Sequence, residues 1–197
     1  MGAVCISWGC TVVLRSGSEE TNRPPLDFSN PVLNQRRVFV VDEITSETAE
    51  STIRQLLYLD TQGQEPITLY LMTPGGDLNA AFAIQRAVEM LRSKVSTVAL
   101  GECNSGGAVL LAGGTGDRRA YSDSVIVLHG MKVSGRPPAR YVELNQVVYT
   151  AFWREHAHLP QSWLPMPQEK TFVLSAQEAL EYGVIDSILS GSEKSQK

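Results

Sequence analysis

Between Val38 and Leu100, apolar runs of strand length alternate with segments of helical periodicity, and no other feature restricts the fold so tightly. Arg37 to Asp42 predicts a strand, followed by a helix from about Ser46 to Asp60. Thr45 or Ser46 can cap that helix, and Glu47 and Glu50 suit the positive end of its dipole. Its expected buried stripe is Ala49, Ile53, Leu56 and Leu57. A second strand is predicted from Ile67 to Met72 and a second helix from Leu78 to Arg92, whose inner face is Ala81, Ile84, Ala87, Val88 and Leu91. A third strand follows over Val95 to Leu100. Repeated strand–helix–strand units imply right-handed crossovers and a largely parallel sheet, so the fold class is α/β. With 197 residues, 43% hydrophobic and 19% charged, the chain suits one domain with a full core.

Candidate chemistry gathers where the strands end, as α/β sheets require. The third strand runs into Gly101-Glu102-Cys103-Asn104-Ser105-Gly106-Gly107, after which an Ala/Leu-rich segment from Ala108 begins a helix. A serine on a tight strand-to-helix turn exposes its hydroxyl, and the next N–H can face a developing oxyanion. Serine is also a preferred helix cap, so Ser105 alone decides nothing. The second strand ends at Thr73-Pro74-Gly75-Gly76-Asp77, where glycines let a substrate backbone approach and can supply another oxyanion donor. The apolar strand Val125 to Leu128 ends in His129, a candidate base. A nucleophile, a base and an oxyanion turn thus sit at successive strand ends.

These three motifs, together with Phe172-Val173-Leu174-Ser175-Ala176-Gln177-Glu178-Ala179-Leu180-Glu181-Tyr182-Gly183-Val184-Ile185-Asp186, resemble the proteolytic subunit of the caseinolytic (Clp) protease from about Pro31 to Leu189. The resemblance implies a crotonase-like α/β fold with a protruding helical handle. It also implies two stacked seven-membered rings around a proteolytic chamber, homo- or hetero-oligomeric, fed by an AAA+ unfoldase. Ser105 matches the family nucleophile and His129 its general base. Gly75 and Gly106 match the oxyanion-hole positions, and substrate is expected to add as a strand beside Gly76, Asp77, Lys132 and Val133. No metal or cofactor is implied, and ATP would be consumed by the unfoldase, since the chain has no P-loop pattern.

Two positions depart from the family. Gly106 stands where the family usually has Met, which keeps the N–H donor and removes a side chain. Counted back from Leu174-Ser175-Ala176, the triad aspartate position holds Thr171, with Glu169 the nearest carboxylate able to shift into the role. In a serine-protease triad, loss of the acid lowers kcat about 10⁴-fold. A hydroxyl could fix the imidazole tautomer and still bring no charge to the imidazolium. The expectation is a weak or partner-dependent serine endopeptidase. The alternative is a non-catalytic ring subunit paired with an active paralogue. A crotonase-type acyl-CoA enzyme shares the fold, but it would need other oxyanion turns.

The remaining segments complete the outline. A formal net charge of -4 without a basic run argues against nucleic acid and anionic membranes as partners. Cys5, Cys10 and Cys103 make an odd count without metal spacing, and no run is long enough to span a bilayer, which suits the cytoplasm, or a plastid stroma. The resemblance implies that residues 1–28 are a partly mobile pore- or partner-contact segment and 29–190 the domain with its handle at about 131–170, while the polar 191–197 read as a disordered tail. A helix from about Ala139 to His156 carries Tyr141, Leu144, Val148 and Phe152, widened by Val147, Ala151 and Trp153. That face suits either assembly or packing on its own domain. Ser175-Ala176-Gln177-Glu178 reads as a capping box, and Val184 to Leu189 as a last strand.

Overall fold

The computed structural model describes residues 30–132 and 135–190. The expectations for residues 1–28, for Val133 and for the tail from 191 lie outside the described residues.

In chain order the elements are α1 (Pro31–Asn34), β1 (Arg37–Val40), α2 (Ser46–Gln62), β2 (Ile67–Thr73), α3 (Leu78–Met90), β3 (Val95–Asn104), α4 (Gly106–Ala112), β4 (Arg118–Tyr121), β5 (Val125–His129), α5 (Ala139–His156), β6 (Thr171–Ser175), α6 (Ala176–Glu181) and β7 (Ser187–Leu189). They form a mixed α/β fold on a seven-stranded sheet. The path β1-β2-β3-β4-β7 is parallel throughout, as the strand–helix alternation requires. β5 joins the far end of β3 in parallel, and β6 returns antiparallel on β5. β3 is therefore shared: Thr97–Ala99 pair with β4, and Glu102–Asn104 pair with β5.

Local chemistry accounts for the boundaries. Thr45 caps α2 by accepting from Thr48 N, and Asp77 caps α3 by accepting from Ala80 N. The capping box at Ser175 forms, with Glu178 answering the Ser175 backbone N–H. Gly183 leaves that turn at φ 66°, the left-handed region glycine tolerates. The stripe of α2 is rotated from the expected one: Ala49, Thr52, Leu56 and Leu59 are buried, while Leu57 is exposed. Thr52 is an inward residue of this helix, which its polarity does not reveal. The last strand is confined to Ser187–Leu189, since Val184 and Ile185 are spent on a turn whose N–H groups both reach Ala179 O.

The helix α5 divides between the two roles open to it. Tyr149, Phe152 and Trp153 are buried in the core, whereas Tyr141, Leu144, Val147 and Val148 are exposed. Phe152 meets Phe82 of α3 edge-on at 5.6 Å and Trp153 at 5.2 Å, which anchors the C-terminal half. Arg118 then ties three elements together. Its guanidinium donates to His156 O at the end of α5 (2.7 Å), to Ala112 O at the end of α4 (3.4 Å) and to Asp186 before β7 (3.0 Å).

Replacing Arg118 with alanine is expected to cost roughly 2–4 kcal/mol, because two helix-end carbonyls lose their donor while still covered. Urea unfolding of the variant checks this. The Arg118 guanidinium also holds the Asp186 carboxyl below its usual range, chiefly by hydrogen bonding. A depressed carboxyl contributes stability above its unfolded pKa and loses it as pH falls through the folded value. The gap between the protein and Asp186→Asn should therefore be full at neutral pH and close on acidification below about 4.

Candidate active site

The nucleophile candidate is placed by β3. Opposite β2 its register slips between Leu71↔Ala99 and Thr73↔Cys103, so β3 bulges near Gly101 and turns from β4 toward β5. Ser105 follows as the N-terminal boundary residue of α4, with φ 52° and ψ -111°. A non-glycine residue there carries strain of about 1–3 kcal/mol, which the surrounding ladder must hold. Ser105 N donates to Val127 O at 2.8 Å, so the strained residue is tied to β5. Its hydroxyl makes no capping bond, so serine's preference for helix caps does not explain its presence here.

β5 alternates, with Ile126 and Leu128 buried and Val125, Val127 and His129 on the other face. His129 thus stands two residues beyond the point where Ser105 is tied. Both line one cleft of about 380 Å³, together with Gly76, Asp77, Lys132 and Tyr149. Thr171 is the register partner of His129 across the antiparallel β5–β6 pair, so the two side chains share a face. The imidazole Nδ1 nevertheless lies 2.8 Å from Gly130 O. A carbonyl only accepts, so Nδ1 carries the proton and Nε2 is left as the basic nitrogen. Among the described residues no carboxylate is ion-paired with His129, and Glu169 is exposed on the loop before β6.

At the end of β2 the geometry assigns the two glycines different work. Gly75 is buried at φ 94°, and its N–H donates to Thr73 Oγ1 at 3.1 Å. Thr73 Oγ1 donates in turn to Asp42 O at 2.6 Å, so one hydroxyl clasps the turn to the end of β1. A side chain on Gly75 would meet Asn104 O at 2.7 Å and Ser105 Cβ at 3.0 Å, so the turn lies directly on the nucleophile's backbone. Ile44 bridges the stretch in parallel: its N–H reaches Gly75 O, and its carbonyl receives Asp77 N–H. In such a bridge the intervening residue directs its own N–H and C=O to the opposite side. That residue is Gly76, exposed in the cleft beside Ser105. The donor expected at Gly75 is therefore already engaged by Thr73, and Gly76 is the glycine that faces the cleft.

Gly106 opens α4, buried against Ala81 and Ile44 so closely that an added Cβ would lie 3.0 Å from Ala81 Cβ. The missing methionine side chain is thus matched by a filled space. Cys103 is buried with its Sγ 3.6 Å from Leu71 O, and burial pushes its thiol up to about 12, so it is a packing residue. Lys132 and Asp77, expected beside a substrate strand, line the same cleft. Sequence reasoning missed Tyr149, which lines the cleft and donates from its hydroxyl to His129 O at 2.9 Å. A tyrosine inside an apolar helical stripe was the available signal, since a buried phenol calls for a partner.

The sequence matches the family described as Clp protease over residues 20–192. The ATP-dependent Clp protease proteolytic subunit of Deinococcus radiodurans is 32% identical over 179 residues, covering 86% of this chain and 88% of the relative. ATP-dependent Clp protease proteolytic subunit 1 of Borreliella burgdorferi is 30% identical over 188 residues, covering 91% and 95%.

Proposed function

The chain belongs to the Clp protease family, and from that membership we propose a proteolytic subunit that cleaves unfolded polypeptides by serine acyl transfer at Ser105. It works inside a ring-shaped chamber to which an AAA+ unfoldase delivers substrate. The observation that carries this is the strained, uncapped Ser105 facing one cleft with His129. An extended peptide pairs with the backbone of Gly76 that Ile44 leaves open, with the Asp77 side chain and Lys132 lining the same cleft. Ser105 Oγ attacks the carbonyl carbon as His129 Nε2 takes its proton. The oxyanion is held by the N–H groups of Gly106 and Gly76, a second donor one residue beyond the expected Gly75. The imidazolium returns the proton to the leaving amine, and water then clears the acyl-serine by the same route. Neither a metal nor an organic cofactor enters these steps.

The neutral Gly130 carbonyl at Nδ1 favours a slow or partner-dependent enzyme, and at the limit a structural ring subunit. Labelling with a fluorophosphonate probe tests both, on the protein alone and mixed with a proteolytic-subunit paralogue from the same organism. Ser105→Ala is the control. Label at Ser105 in the isolated protein is expected. Label only in the mixture makes activity conditional on hetero-assembly. If neither sample labels while the paralogue does, the structural subunit takes the place of the enzyme.

A further inference from the structure

The segment His129–Gly130 is gripped from two sides. From α5, the Tyr149 hydroxyl donates to His129 O at 2.9 Å, with its ring buried edge-on against Trp153 at 6.1 Å and its oxygen 3.9 Å from Met166 Sδ. From the loop before β6, the backbone of Met166 and Pro167 lies so close to Gly130 that no Cβ fits there. Gly130 O is the acceptor for the imidazole Nδ1. The peptide that Tyr149 holds is the one joining His129 to Gly130; Gly130 O belongs to the next peptide unit, and its direction is restricted because Tyr149 holds the first peptide while Gly130 is pressed against Met166 and Pro167.

Granting that Ser105 and His129 act as nucleophile and base, we propose that Tyr149 is a positioning residue for His129. Its hydroxyl, carried on α5, fixes the His129–Gly130 peptide so that the Gly130 carbonyl takes the tautomer-setting place that a carboxylate fills in a complete triad. Burial pushes the Tyr149 hydroxyl up to about 12, so it stays a donor across the working range. Helix α5 thereby acts on the base through one hydrogen bond. Whatever shifts the exposed N-terminal half of α5 reaches His129 along the same rod.

The test uses Tyr149→Phe in the assembled protein, which keeps the buried ring and removes the donor alone. Hydrolysis of a short fluorogenic peptide should lose about three- to ten-fold in kcat with KM within about two-fold. In a Thr171→Asp background the same change should cost less than about two-fold, because a carboxylate on the facing strand gives Nδ1 a second partner. An independent arm uses ¹⁵N-histidine-labelled, sedimented protein, whose imidazole spectrum contains only three histidines. His129 is expected as the Nδ1–H tautomer in the parent and as a mixture in Tyr149→Phe. An equal loss in both backgrounds, or an unchanged His129 tautomer, overturns the proposal. If no assembly hydrolyses peptide or takes the serine probe, the peptidase reading fails, and the tautomer spectrum alone still decides the role of Tyr149.

Discussion

Thr171→Asp is expected to raise kcat for short peptides by roughly 10²–10³-fold. Thr171 faces His129 in direct register across the β5–β6 ladder, where opposed Cβ atoms stand about 4.5–5.5 Å apart. An aspartate there places a carboxylate within reach of Nδ1. Loss of the acid from a complete triad costs about 10⁴ because tautomer and charge go together. Here Gly130 O already fixes the tautomer, so the substitution restores only the charge that steadies the imidazolium, and the gain is the smaller part. The same carboxylate favours the protonated ring, so the acidic limb of the pH–rate profile should move to higher pH. Thr171→Asn, neutral and of like size, is the control and should gain little. Equal rates for Asp, Asn and the parent would mean that Thr171 does not face the base during catalysis.

The second large effect is a loss. Gly76→Ala is expected to lower kcat by about 10³-fold or more in a protein that still unfolds cooperatively, with the thermal midpoint lowered by roughly 5–15 °C. Gly76 has φ 146°, and a Cβ there would collide with the Ile44 carbonyl and lie 2.7 Å from its nitrogen. The turn must then leave Ile44, and the cleft-facing N–H leaves with it. One oxyanion donor is worth about 10²–10³ in kcat, and the displaced substrate edge adds to the loss. Because Gly76 is exposed and lies beyond the end of β2, that core strand, which carries Leu69 and Leu71, keeps its own pairing and the protein remains folded. Ser105 labelling at the parent rate in Gly76→Ala would remove this glycine from the oxyanion site.

The alternation of strand and helix from Val38 onward was legible because periodicity is a local property, repeated over many residues. The candidates Ser105 and His129 were legible for a similar reason, since His129 ends an apolar run and Ser105 sits on the glycine-bounded turn that follows one. What escaped depends on neighbours that the sequence does not name. β6 is short, and Thr171, Val173 and Ser175 are all exposed on one face, so it carries little apolar signal apart from β5. The division of α5 into a buried and an exposed half follows from how far the core extends beneath it. Gly75 and Gly76 are adjacent identical letters, and only the Thr73 clasp and the Ile44 bridge tell them apart. The partner of His129 is a backbone oxygen, which no residue letter announces.

The sharing of β3 between β4 and β5 bears on how the chain becomes dangerous. Parallel pairings join segments distant in sequence, and such contacts close late, after loop entropy has been overcome. Ser105 acquires its backbone conformation only when β3 has paired with β2 on one flank and β5 on the other, and His129 waits on β6 and α5 as well. A chain emerging from the ribosome, or one partly unfolded by heat, therefore holds the two residues without the site. With Ser105 and His129 as the proposed nucleophile and base, competence to cut arrives with the last tertiary contacts, and an immature copy would pose no threat to the unfolded proteins around it.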